Sequence, residues 1–148
     1  VCIEAHNKNL EVLSQINYDI PPVVISDPTR IQQIIVNLIK NAVKFTNEGH
    51  VKFIADFDGE KQNLIFKVED TGIGIPQEKQ DRIFEEYYQV DKSTTRNYGG
   101  TGLGLSICKK LTDLLNGTIT VETNAFKGTT FSITIPLLKL IPSFELLV

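Results

Sequence analysis

Asn37, Asn41 and Lys44 stand at i, i+4 and i+7 of the segment DPTRIQQIIVNLIKNAVKFT, so on a helix they share one face. Asn is a mediocre helix former whose side chain competes for backbone hydrogen bonds, and two aligned in mid-helix point to work for their amides rather than to an ordinary solvated face. An amide oxygen suits a hard cation such as magnesium, and a lysine ammonium can face a phosphate as a point charge. Asp70 opens a second stretch, DTGIGIP. A tight turn alone accounts for its glycines and tolerates its Asp, so this stretch by itself leaves turn and binding site both open. The third is GGTGLGLSICKKLTDLLNG, where glycines between Gly99 and Gly104 lead into a helix. Such an approach exposes unpaired N–H groups at the positive end of the helix dipole, which suits phosphate. It is not a Walker A loop, because no Lys-Ser/Thr follows the last glycine, and no strand precedes it as in a dinucleotide fingerprint.

The elements that must hold these groups follow from the pattern of the chain. Val1 to Asn9 reads as the end of a helix, Leu10 to Asp19 as a strand, and Val23 to Ser26 as a short apolar piece after Pro21-Pro22. Asp27 and Pro28 mark a helix start, as N-cap and first helical residue. Ile31, Ile34, Ile35, Leu38, Ile39 and Ala42 give that helix a buried stripe, from most of which the Asn37, Asn41 and Lys44 face is turned away. GHVKFIADFDGEKQNLIFKVED reads as a hairpin about Asp58-Gly59, so the Asp70 turn leaves its second strand. Gln77 to Glu85 reads as a short helix. Tyr87 to Gly99 is polar, aromatic and without period, and reads as a long loop of the kind that serves as a lid. Ile107, Cys108, Leu111, Leu114 and Leu115 fit a helix stopped at Gly117; Thr118 to Glu122 and Thr129 to Ile135 alternate like strands.

Composition limits what this set can be. At 148 residues, 41% apolar and 22% charged, the chain supports one well-buried core and not two ordinary domains. A net charge of -3 argues against broad nucleic-acid binding. No signal peptide and no apolar run of spanning length is present, so the domain is expected to be soluble, with no membrane contact of its own. Cys2 and Cys108 lack metal-ligand spacing and read as free thiols of a reducing compartment.

Taken in order, Asn37-Leu-Ile-Lys-Asn41-Ala-Val-Lys44-Phe45-Thr46, Asp70-Thr-Gly72-Ile-Gly74, Ile83-Phe84-Glu85 and Gly100-Thr-Gly102-Leu-Gly104-Leu105 resemble the N, G1, F and G2 boxes of the ATP-binding catalytic domain of sensor histidine kinases. The resemblance covers residues 1–136 and leaves an apolar tail, 137–148, without a role. It implies a two-layer α/β (α+β) sandwich, the Bergerat ATP-binding fold, with a mixed, mostly antiparallel sheet packed against helices and ATP held between the long helix and the lid. It implies that Asp70 accepts a hydrogen bond from the adenine amine while Gly72 and Gly74 let the backbone approach, with Ile75 among the contacts. Guanine would leave that acceptor unpaired. By the same carry-over Asn41, with Asn37 beside it, holds magnesium, Lys44 faces the phosphates, Phe45 packs near the nucleotide and Thr130 supports the adenine pocket. Gly102, Leu103, Gly104 and Leu105 bind phosphate through backbone amides, and Tyr88 and Arg96 are among the nucleotide-binding residues. Gln89 stands where many relatives carry a basic residue, and Arg96 or Lys92 is left to substitute.

Related ATPases, such as gyrase, the mismatch-repair ATPases and the heat-shock chaperone, carry a glutamate at the position of Asn37. An amide is no general base at neutral pH, whereas a neutral imidazole is already a nucleophile, so the resemblance favours a kinase. Its phosphoacceptor is expected on a separate dimerisation segment, because His6 and His50 lack the acidic neighbour of an acceptor motif. A response regulator downstream, and a cytoplasmic setting whether or not the parent protein is membrane-anchored, are the further implications. An ATPase, an anti-sigma-type serine kinase and a nucleotide-binding pseudokinase are the rival readings.

Overall fold

The structure is a computed structural model that describes residues 2–88, 102–123 and 127–137. Five strands, β1 Glu11–Ile16, β2 His50–Asp58, β3 Asn63–Asp70, β4 Thr118–Thr123 and β5 Thr129–Pro136, form one sheet in the order β1-β2-β3-β5-β4. β1 runs parallel to β2 and every other neighbouring pair is antiparallel. The helices are α1 Cys2–Asn7, α2 Pro28–Phe45, α3 Gln77–Gln80 and α4 Gly104–Leu114. α2 and α4 pack on each other and over the sheet. This is the expected two-layer α/β sandwich with a mixed, mostly antiparallel sheet.

α2 forms where its start signals predict. The Asp27 carboxylate accepts the N–H of Arg30 at 3.1 Å, and Pro28 opens the helix with no N–H to leave unpaired. Ile34, Leu38, Ala42 and Val43 are buried, while Ile35 at the stripe's edge is half-buried. At its C-terminus the Lys8 ammonium donates to the carbonyls of Val43, Lys44 and Thr46 at 2.8, 2.9 and 3.2 Å, a cation on the negative end of the helix.

The pleat decides which residues of the sheet meet the helices. Val51 and Ala55 of β2, Leu64 and Val68 of β3, and Phe131, Ile133 and Ile135 of β5 are buried, and the register sets Val68 opposite Phe131 and Asp70 opposite Thr129. Asp70 is an even step from Leu64 and Val68, so strand alternation delivers its side chain to the helix side of the sheet.

Three boundaries differ from the sequence reading. Gln77 to Glu85 is helical only over Gln77–Gln80; beyond it Arg82 N–H bonds Lys79 O and Glu85 N–H bonds Arg82 O, a run of tight turns. Those turns bury Ile83 and set Phe84 edge-on to Phe131. α4 ends at Leu114 and is stopped by Asn116, not Gly117, as the left-handed residue (φ 55°), with Gly117 N–H bonded to Thr112 O and Asn116 N–H to Asp113 O. The first strand is shorter than Leu10 to Asp19, and all six residues of β1 are exposed.

Candidate active site

Asp70 occupies the last position of β3 and is followed by the turn that opens the site. Its carboxylate accepts the N–H of Gly72 at 2.8 Å and also the backbone N–H of Thr129. Burial pushes the carboxyl above the usual carboxylate range, and the two N–H groups only partly offset this. The result is a partly desolvated acceptor clamped from both sides. The turn docks on the end of α2, where Ile73 N–H bonds Phe45 O at 3.3 Å. A Cβ on Gly72 would lie 2.4 Å from Phe45 O and 2.9 Å from both Asp70 Oδ1 and Thr46 Oγ1, so only glycine fits there.

α2 and α4 run antiparallel past each other. Asn41 faces Gly104, whose hypothetical Cβ would be 3.7 Å from Asn41 Nδ2, and one turn away Asn37 hydrogen-bonds the sulfur of Cys108. The Cys108 thiol donates to Ile34 O at 3.8 Å in a fully buried position. No side chain caps α4, and its earliest helical bond runs from Ile107 N–H to Leu103 O. The amides of Gly104, Leu105 and Ser106 therefore lie ahead of any carbonyl of their own helix. Asn41 thus confronts the positive end of α4 across an interval kept open by a residue without a side chain. Burial lowers the pKa of Lys44, Glu4 of α1 partly restores it, and the ammonium lies 4.9 Å from the centre of the Phe45 ring.

The remaining expected positions divide into placed and not described. Ile75 N–H bonds Thr123 Oγ1 at 2.8 Å, Gly74 is buried with φ 68°, and Gly102 accepts the N–H of Tyr87 at 3.2 Å. Leu103 precedes α4 and half-buried Leu105 packs against the core. Tyr88 carries the Arg82 guanidinium over its ring at 4.5 Å. Arg96, Lys92, Gln89 and the rest of the expected lid to Gly99 lie outside the described residues, as do Gly100 and the tail beyond residue 137.

Thr130 is where structure and expectation part. It sits opposite Glu69 and Glu122, one step out of phase with Asp70, on the other face of the sheet. The residue beside Asp70 is Thr129, buried and hydrogen-bonded to it. Thr123 and Gln80, which tie the turn to β4, were also missed. The run TTF gave a signal for a threonine here, and counting the pleat back from buried Phe131 selects Thr129.

The architecture sets a half-buried carboxylate at the end of β3 and, where α2 meets α4, the Asn41 amide facing a helix N-terminus. Residues 26–139 match the family described as histidine kinase-, DNA gyrase B-, and HSP90-like ATPase. The chain is 42% identical over 130 residues to the signal transduction histidine-protein kinase BarA of Escherichia coli (strain K12), covering 86% of this chain and 14% of BarA. It is 41% identical over 145 residues to the hybrid signal transduction histidine kinase K of Dictyostelium discoideum, covering 90% of this chain and 12% of that protein. In structure it is similar to the catalytic domain of histidine kinase ThkA, with a TM-score of 0.74 and 31% identity over 90% of this chain and 84% of that one. Full-length ShkA in complex with AMPPNP matches with a TM-score of 0.82 and 31% identity over 93% of this chain and 28% of that chain. The chain belongs to this ATPase-like family, and within it to the catalytic domains of sensor histidine kinases. It spans only 14% and 12% of the two curated relatives' lengths.

Proposed function

We propose that this domain binds ATP with magnesium and passes the γ-phosphoryl group to a histidine on a dimerisation segment outside this chain. The observation that carries the reading is Asp70, a partly desolvated acceptor at a glycine turn, held there by the N–H groups of Gly72 and Thr129. The adenine amine donates to this carboxylate; guanine, with a carbonyl in that place, would set acceptor against acceptor.

The phosphates lie toward α4, where the first amides and the helix dipole receive them. Among the described residues no cluster of three or more His, Cys, Asp or Glu could hold a metal. The donor set fits magnesium bound largely by phosphate oxygens and water, with the Asn41 carboxamide, and Asn37 beside it, as the protein's share. When bound there, magnesium would supply charge neutralisation on the phosphates. In the transfer an imidazole nitrogen forms a bond to the γ-phosphorus, the bond to the β–γ bridging oxygen breaks, and ADP leaves with that electron pair. Nothing at Asn37 can take a proton from water, since its amide is not a base and is bonded to Cys108. That favours transfer over hydrolysis. A response regulator would then take the phosphoryl group from the histidine.

The test mixes this domain with a dimerisation segment of its parent protein and radiolabelled ATP. Acid-labile, base-stable label on that segment is expected. Brisk phosphate release by the domain alone, lost in Asn37→Ala, would replace the kinase reading with an ATPase; label on serine would replace it with a serine kinase.

A further inference from the structure

β4 ends at Thr123, paired with Thr129 at the start of β5. The Thr123 hydroxyl oxygen accepts the N–H of Ile75 at 2.8 Å, lies 3.0 Å from the carbonyl oxygen of Gly128 and 3.0 Å from the Thr129 hydroxyl. A hydroxyl has one proton to give and two lone pairs to fill. One assignment uses all three: Thr123 donates to Gly128 and accepts from Ile75 and Thr129. Gln80 adds a second tie, its Nε2 donating to the carbonyls of Ile75 at 3.1 Å and Thr123 at 3.4 Å. Both peptide groups of Ile75 are thereby fastened to the end of β4.

The other end of this network reaches the base-reading carboxylate. Thr129 donates its backbone N–H to Asp70 while its hydroxyl meets Thr123. Gly128, with φ 88°, lies so close to β3 that a Cβ on it would be 2.0 Å from Asp70 O. One hydroxyl therefore spans from the exit of the Asp70 turn to the strand that clamps the Asp70 carboxylate from behind.

We propose that Thr123, assisted by Gln80, is a positioning residue that fixes the separation between the Asp70 carboxylate and the Gly74–Ile75 backbone, and thereby the preference of the slot for adenine over guanine. The inference rests on the adenine reading of Asp70. Thr123 need not touch the nucleotide. Without its hydroxyl the Ile75 N–H loses its partner, and the turn is free to shift relative to the carboxylate.

Calorimetric titration of ADP and GDP into the wild-type domain, Thr123→Val, Thr123→Ser and Gln80→Ala tests it, with melting temperature as the control for folding. Thr123→Val is expected to reduce the ADP-to-GDP affinity ratio by about tenfold, the scale of one hydrogen bond. Thr123→Ser should restore the wild-type ratio, and Gln80→Ala should lower it less. A Thr123→Val protein with the wild-type ratio, or one weakened equally for both nucleotides, overturns the proposal, as does a Thr123→Ser protein as impaired as the valine form. If Thr123→Val does not fold, an unchanged ratio in Gln80→Ala overturns it. A wild-type domain that does not distinguish ADP from GDP removes the adenine reading itself; one that does, through Asp70, while the Thr123 and Gln80 variants behave as wild type, removes only this inference.

Discussion

Gly104 faces Asn41 across the α2–α4 seam, and a methyl placed on Gly104 would stand 3.7 Å from Asn41 Nδ2, in ordinary van der Waals contact. Gly104→Ala should therefore fit the empty domain and stabilise it slightly, by about 0.4 to 1 kcal/mol, through a less flexible unfolded chain. The same methyl occupies the interval through which, on the proposed reading, phosphate reaches the α4 amides. ATP affinity should fall while the melting temperature holds or rises. Thermal unfolding with and without ATP checks both halves, and a variant that binds ATP as wild type does would move the phosphates elsewhere.

Asp70 yields a pH dependence. Burial raises its pKa above the usual carboxylate range, so the carboxylate proposed to accept the adenine amine is lost on acidification sooner than for an exposed Asp. ADP affinity should fall as pH drops through that raised value. The folded empty domain moves the opposite way, because a raised carboxyl pKa favours the folded state as the group takes up its proton. Asp70→Asn should weaken ADP by about 1 to 3 kcal/mol at neutral pH and flatten the pH profile. Calorimetry across the acidic range decides; an unaltered profile in Asp70→Asn would assign the titration to another group.

Asn41 lies half-buried, off the buried stripe of α2. Asn41→Ala should weaken ATP binding in the presence of magnesium, leave the magnesium-free affinity nearly intact, and shift the melting temperature by less than about 2 °C. Paired titrations with magnesium and with a chelator measure the difference. A large loss of thermal stability without nucleotide would make the carboxamide a structural group.

Cys108 is fully buried, and burial pushes its thiol pKa up to about 11 despite the Asn37 hydrogen bond. The neutral thiol thus favours the folded state. Its contribution is complete below the ordinary thiol value of about 8.5 and is lost as pH climbs through about 11. In the native protein Cys108 should resist thiol reagents at pH 8, and stability should fall between those pH values less steeply in Cys108→Ala. Denaturant melts across the alkaline range test this.

Local chemistry was legible where one segment carries the whole signal. Asp27-Pro28, the stripe of Ile34, Leu38 and Ala42, and the hairpin leading to Asp70 each appear as read, because caps, helical period and strand alternation act within a few residues. What failed depends on partners far along the chain. Choosing Thr129 over Thr130 requires the β3–β5 register, and the turns after Gln80 set Ile83 and Phe84 against a core drawn from strands far along the chain. The Asn37–Cys108 contact needs the antiparallel placement of two helices, which neither helix encodes alone. Thr123 fell one residue beyond the strand read from the sequence, and its role lies with a turn 48 positions away.

β1 has a consequence for how the molecule opens. Its six residues are all exposed, it pairs on one side only, and all of α2 intervenes before its partner strand β2. β3, by contrast, is bonded along its length to β2 and β5. Amide hydrogens of β1 should therefore exchange through small local openings, while those of β3 exchange only with global unfolding. Nucleotide should add protection around the Asp70 turn and the start of α4, yet leave β1 nearly as fast as before. The domain would then carry a loosely held margin whose opening and closing does not disturb the Asp70 turn or the start of α4.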